Sequence, residues 1–119
     1  MYLLDTDAFA LTSPTSGLHG TDVEKWRDWV RRNDAGLYLS VITIMEVSFG
    51  IEKLATKGAR RKATYLARWR AVAETAYRGR IMPVTIEIAQ LARELLCGAV
   101  AAGTLPSSED AIIAATASV

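Results

Sequence analysis

Leu37-Tyr38-Leu39-Ser40, followed without a break by Val41-Ile42-Thr43-Ile44-Met45-Glu46, is the stretch whose reading decides the fold. The first four residues are short and apolar, as parallel strands buried on both faces tend to be. The apolar run continues past them and ends on a carboxylate, and a helix is predicted from about Ile44 to Thr56. Gly50 inside that helix costs about 1 kcal/mol against Ala, and Gly58 breaks it.

Working outward toward the N-terminus, Asn33-Asp-Ala-Gly36 stops an earlier helix that opens at Thr21. Thr21 and Glu24 have the spacing of a capping box, and Val23, Trp26 and Val30 form one apolar stripe that Trp29 widens. Residues 12–21 are loop by composition and contain the lone histidine, His19, which has no partner at ligand spacing. Tyr2-Leu3-Leu4 reads as a short buried strand.

Toward the C-terminus, residues 59–78 form a long basic helix with Tyr65, Trp69, Val72 and Ala76 along one face. Ile81-Met-Pro-Val84 is a third strand, and Pro83 assigns it to a sheet edge. Thr85 caps a helix through about Ala102 with Ile88, Leu91, Leu95 and Val100 on its core side, and Gly103 ends it. Ser107 opens a last helix running to Val119. Strands alternating with helices predict an α/β fold with a short parallel sheet flanked by helices.

With 119 residues, half of them hydrophobic and 23% charged, the chain has the profile of one soluble globular domain spanning 1–119. No apolar stretch approaches the roughly 18 residues of a membrane span, and Met-Tyr-Leu-Leu-Asp lacks a basic leader, so a cytoplasmic location is expected. The single cysteine, Cys97, falls in a helical apolar pattern, which excludes disulfides and Cys-rich zinc sites and predicts a buried small hydrophobe. Net charge is +1 but uneven: Lys57, Arg60, Arg61, Lys62, Arg68, Arg70, Arg78 and Arg80 are opposed between 57 and 80 by Glu74 alone. Such an excess attracts phosphates, although charge runs are as often only a solvated helix face.

Asp5, Glu46 and Asp110 each stand where an apolar run meets the next element. Brought together, they would be a cluster of anionic oxygens suited to a hard divalent cation such as Mg²⁺ or Mn²⁺. Two have a structural reading as well. Thr43-Ile-Met-Glu46 and Ser107-Ser-Glu-Asp110 both have capping-box spacing, in which each acid serves only its own helix. Asp5 has no such reading; a carboxylate ending a buried strand needs a donor or a cation. Ligands of open parallel sheets bind beyond the carboxyl ends of the strands, which is where Asp5 lies. Asp7 is a peripheral candidate.

These residues resemble the PIN-domain family, in particular the VapC-type toxins of type II toxin–antitoxin systems. The resemblance is carried by Tyr2-Leu-Leu-Asp-Thr-Asp7, by Tyr38-Leu-Ser-Val-Ile-Thr-Ile-Met-Glu-Val-Ser-Phe-Gly-Ile-Glu52, and by Leu105-Pro-Ser-Ser-Glu-Asp-Ala-Ile-Ile-Ala-Ala-Thr-Ala117. It implies a PIN-like three-layer fold and a metal-dependent endoribonuclease. Asp5, Glu46 and Asp110 would then be the catalytic acids and ligands of Mg²⁺ or Mn²⁺, with water activated for attack on a phosphodiester. Thr6 and Thr116 match small hydroxyl positions near such sites, and Arg60, Arg61, Lys62 and Arg68 would guide the RNA backbone through salt-sensitive contacts. A cognate antitoxin protein and a homodimer are the implied partners.

The family continues past the Ala-Ala-Thr-Ala helix into a further strand and a Thr-x-Asn-x-x-Asp-Phe-like segment, whereas this sequence ends at Val119. The expectation is a sheet lacking the family's last strand, weaker metal binding, and an unpaired edge beside the first strand. The alternative to a ribonuclease is therefore a weakened or inactive PIN-like binding module that holds an antitoxin or self-associates.

Overall fold

Short apolar runs become strands here only because helices cover them. The computed structural model describes residues 1–13 and 20–119, so His19 and most of the predicted 12–21 loop lie outside the described residues. Strand β1 (Tyr2–Leu3) leads into helix α1 (Thr6–Ala10) and helix α2 (Thr21–Arg32). A 3₁₀ turn at Asp34–Gly36 then enters β2 (Leu37–Ser40). Helices α3 (Val41–Thr56) and α4 (Arg60–Ala76) follow, then β3 (Ile81–Met82), α5 (Ile86–Ala101) and α6 (Ser108–Ser118). The sheet is parallel with order β1-β2-β3, in register Tyr2 with Leu37 and Leu39 with Ile81. The α/β class, the parallel pairing and the edge position of β3 agree with the sequence reading, but β3 stops at Met82, so Pro83 lies just outside it.

The central strand supplies the core. Leu37 and Leu39 are fully buried, and they pack with Leu4, Phe9, Ala73 and Tyr77, flanked by Trp26, Trp29, Ile44, Val47 and Trp69. Phe9 stacks on Trp69 at 4.8 Å between ring centroids and meets Tyr77 edge-on at 6.0 Å, geometries that aromatic quadrupoles favour. A second, smaller cluster joins α5 to α6 through Ile88, Ala92, Ala111 and Ala115. Helix α6 also packs on β1 and α3, and α1 packs on α3.

Several local expectations are corrected. Helix α3 begins at Val41, not Ile44, because buried Ser40 caps it by accepting from Ile42 N at 3.0 Å. Helix α2 starts with Gly20 at the N-cap and no side-chain cap bond, so Thr21 and Glu24 form no capping box. The buried side of α4 is Ala63 and Ala73, with Tyr77 beyond its end, while Tyr65 and Val72 of the expected face are 50% and 69% exposed. On α5, Ile88 is buried as expected, but Ala92 takes the inner position and Leu95, Val100 and Cys97 are exposed. Gly58 and Gly103 do end their helices, with φ of 91° and 86°; L side chains avoid that region, so glycine is the economical stop.

Candidate metal centre and its cleft

Helix α1 was not foreseen, and it explains Asp5. Asp5 is its N-cap, with Oδ1 accepting from Ala8 N at 2.7 Å. A five-residue helix is not stable alone, and this one is held at both ends. Trp26 Nε1 donates to Ala8 O at 3.1 Å, and Arg27 donates to Leu11 O at 3.2 Å and Ser13 O at 3.1 Å. The Asp5 carboxylate is exposed and keeps its second oxygen for another partner.

Glu46 has the opposite history. Once α3 begins at Val41, Glu46 is in the second turn and its capping role disappears. It is half-buried, and its Oε1 accepts from Thr6 Oγ1 at 2.5 Å. Thr6 Oγ1 also lies 3.5 Å from Thr43 Oγ1, one turn earlier on α3 and fully buried. Thr43 was noticed in the sequence only as a cap; its spacing of three residues from Glu46 is the signal that puts both on one helix face.

Asp110 retains its expected place in the first turn of α6, whose N-cap Ser107 accepts from Asp110 N at 3.1 Å. Its carboxylate is exposed and in no ion pair among the described residues. Thr116 is buried, but its hydroxyl donates to Ile112 O of its own helix at 2.7 Å.

The elements carrying Asp5, Glu46 and Asp110 thus pack on one another: α1 on α3, α3 on α6, and α6 on β1. Their side chains do not converge as placed, and no group of three or more potential metal-ligating side chains is assembled among the described residues. The donor chemistry nevertheless fits a hard cation: oxygen ligands only, none neutralised by a salt bridge among the described residues.

A cleft of about 580 Å³ opens beside Glu46. Thr6, Asp7 and Glu46 form its polar wall, Val47, Ile51, Leu54, Leu66 and Trp69 its apolar floor, and Lys62 its cationic rim. Asp7, peripheral in the sequence reading, therefore faces the same space as Glu46.

The basic segment divides into two populations. Arg70 and Arg80 hold the fold: Arg70 Nη1 donates to Ser48 Oγ at 3.0 Å, and Arg80 donates to Leu37 O at 2.8 Å and Ala76 O at 3.0 Å and lies over the Tyr77 ring. Arg60, Arg61, Lys62 and Arg68 are exposed and form no ion pair among the described residues.

Comparison with known proteins gives two matches. The PIN domain family model covers residues 2–119. The crystal structure of FitAcB from Neisseria gonorrhoeae superposes with a TM-score of 0.79 at 28% identity, over 99% of this chain and 81% of that chain. No curated protein is matched. PIN domains are generally nucleases that use divalent metal ions. With the family model spanning nearly the whole sequence and the same short parallel sheet underneath, the chain belongs to the PIN-domain family.

Proposed function

We propose that this protein is a metal-dependent endoribonuclease toxin, cytoplasmic and neutralised by a cognate antitoxin. The observation that carries the reading is the packing of α1 on α3, α3 on α6 and α6 on β1, which links the elements bearing Asp5, Glu46 and Asp110. Asp5, Glu46 and Asp110 would hold Mg²⁺ or Mn²⁺. The chemistry such an ion supplies when bound is Lewis acidity, which acidifies water and offsets charge on a phosphodiester.

The chain's own residues do the rest. Thr6 fixes the Glu46 carboxylate through its hydroxyl, and the Asp5 cap fixes the strand–helix junction. Val47, Ile51, Leu54, Leu66 and Trp69 keep the cleft floor apolar, which strengthens electrostatic contacts at its polar wall. Lys62 at the rim, with Arg60, Arg61 and Arg68 along α4, attracts the phosphate backbone. A cognate antitoxin would neutralise the protein by covering the same cleft.

The homodimer is supported by the outer face of α3, where Val41, Met45 and Phe49 lie at four-residue spacing and are 39%, 51% and 64% exposed. A contiguous apolar helix stripe in water marks an interaction surface. Sedimentation at several concentrations tests this pairing, with Phe49→Lys shifting a dimer toward monomer.

A binding module without turnover is the second reading, favoured by the acid side chains' lack of convergence. Calorimetric Mn²⁺ titration of the parent and of Asp5→Asn/Asp110→Asn, followed by incubation with RNA, separates the two. Binding and RNA scission lost together in the double variant support the nuclease. A folded parent that neither binds Mn²⁺ nor cleaves RNA leaves the binding module.

A further inference from the structure

Tyr65 is half exposed on α4, and most of the residues that share its surface depressions are cationic. Arg61 stands one turn before it and Arg68 nearly one turn after it, so the three share a helix face. Two shallow depressions meet at this ring: one is lined by Gly58, Ala59, Arg60, Arg61, Lys62 and Tyr65, the other by Arg60, Arg61, Thr64, Tyr65 and Arg68. Lys62 belongs both to the first depression and to the cleft containing Glu46. The surface therefore runs from the acidic wall, past Lys62, to an aromatic ring between two guanidinium groups.

No acid lies between Lys57 and Arg68. The cations Arg60, Arg61 and Lys62 occupy the first turn of α4, which has no side-chain cap and no first-turn acid. Positive charge there opposes the helix dipole and costs stability, a cost that an anionic ligand would offset. From Arg61 to Arg68 the helix rises about 10 Å, room for one base on the ring with a phosphate at either side. An exposed aromatic face within a basic groove is the combination that takes single-stranded nucleic acid, because stacking holds the base while cations track the backbone.

We propose that Tyr65 is a base-stacking residue for single-stranded RNA, with Arg61 and Arg68 taking the adjoining phosphates, so that the strand is led past Lys62 into the Glu46 cleft. The inference rests on the ribonuclease reading and adds to it a positioning residue remote from the acids. It predicts a preference for unpaired RNA, since a base inside a duplex cannot lie on the ring.

The test uses a 12-nucleotide single-stranded RNA carrying one 2-aminopurine and a fluorescein end label, titrated with the full chain in metal-free buffer. Tyr65→Ala is expected to weaken binding roughly 5- to 150-fold, to abolish 2-aminopurine quenching, and to leave the salt dependence unchanged. Tyr65→Phe keeps both affinity and quenching. Arg61→Ala keeps the quenching but lowers the salt slope by about one. If the wild type binds or cleaves RNA and Tyr65→Ala does so with equal affinity and equal quenching, the stacking role is overturned and the ribonuclease reading stands. If the wild type neither binds nor, with Mn²⁺ restored, cleaves RNA, the ribonuclease reading fails and the stacking role with it. Tyr65 belongs to neither core cluster, and circular dichroism confirms that each variant is folded.

Discussion

Thr6 Oγ1 donates a hydrogen bond to Glu46 Oε1, joining the first turn of α1 to the second turn of α3. A hydroxyl donated to a carboxylate orients the acid, and Glu46 lines the cleft. Thr6→Val keeps the shape and removes the donor. Metal affinity or cleavage rate is expected to fall about 10- to 100-fold, the usual cost of losing a partner that orients a ligand. Thr6→Ser should restore most of it. Wild-type Mn²⁺ affinity and turnover in Thr6→Val would remove Thr6 from the site.

Asp5 carries two roles that substitution can separate. Asp5→Ala loses the α1 cap and should cost about 1 kcal/mol in urea unfolding. Asp5→Asn retains a capping oxygen and should unfold within a few tenths of a kcal/mol of the parent. Mn²⁺ binding, by contrast, should be lost in both. Equal metal binding by Asp5→Asn and the parent would make Asp5 a cap only.

Arg80 is a cation spent on structure. Its guanidinium reaches Leu37 O and Ala76 O, forms a further bond to Asp34 O, and is only 18% exposed at the side chain. Arg80→Ala strands these carbonyls and should cost roughly 2–3 kcal/mol. Arg80→Lys recovers little, because an ammonium cannot reproduce the planar fork. The same truncation at exposed Arg60 should leave stability within about 0.5 kcal/mol, so urea midpoints of the two variants distinguish the populations.

Tyr77 gives the fold an alkaline limit. Burial, and then the negative charge of Asp34, raise its phenol above the ordinary value near 10, with Arg80 partly opposing them. A folded pKa above the unfolded one means that its contribution is complete below pH 10 and is lost as pH rises through the raised value. Denaturant midpoints of the wild type should fall across that alkaline window. Tyr77→Phe, which cannot ionise, should show a smaller fall; an identical fall would place the alkaline sensitivity elsewhere.

The physical legibility of the sequence follows from how local each feature is. Strand β2 was legible because Leu37-Tyr38-Leu39, bounded by Gly36 and by Ser40 with a following helix, has few other uses. The ends of α3 and α5 were legible because a glycine with positive φ acts within its own turn. The face of α4 was not. Its seventeen residues contain alanine at several phases, so the expected stripe through Tyr65, Trp69, Val72 and Ala76 is as plausible by periodicity as the observed one, which keeps Trp69 but buries Ala63 and Ala73. The choice fell to distant residues of the core: Ala73 and Tyr77 are buried with Leu4, Phe9, Leu37 and Leu39, and Trp69 stacks on Phe9.

The same division holds for the site. By itself the sequence determined the α/β class, the order of the strands and of the helices other than α1, and the positions of Asp5, Glu46 and Asp110 at or near element junctions, since composition and turn chemistry act over a few residues. Only the tertiary structure decided what those oxygens do. It made Asp5 a cap, because α1 is too short to stand without Trp26 and Arg27. It released Glu46 from capping, because Ser40 starts α3 early. It also sorted Arg80 into the fold and Arg61 onto the surface. Hydrogen bonds and burial depend on which distant groups arrive at the same place, and chain spacing carries no record of that.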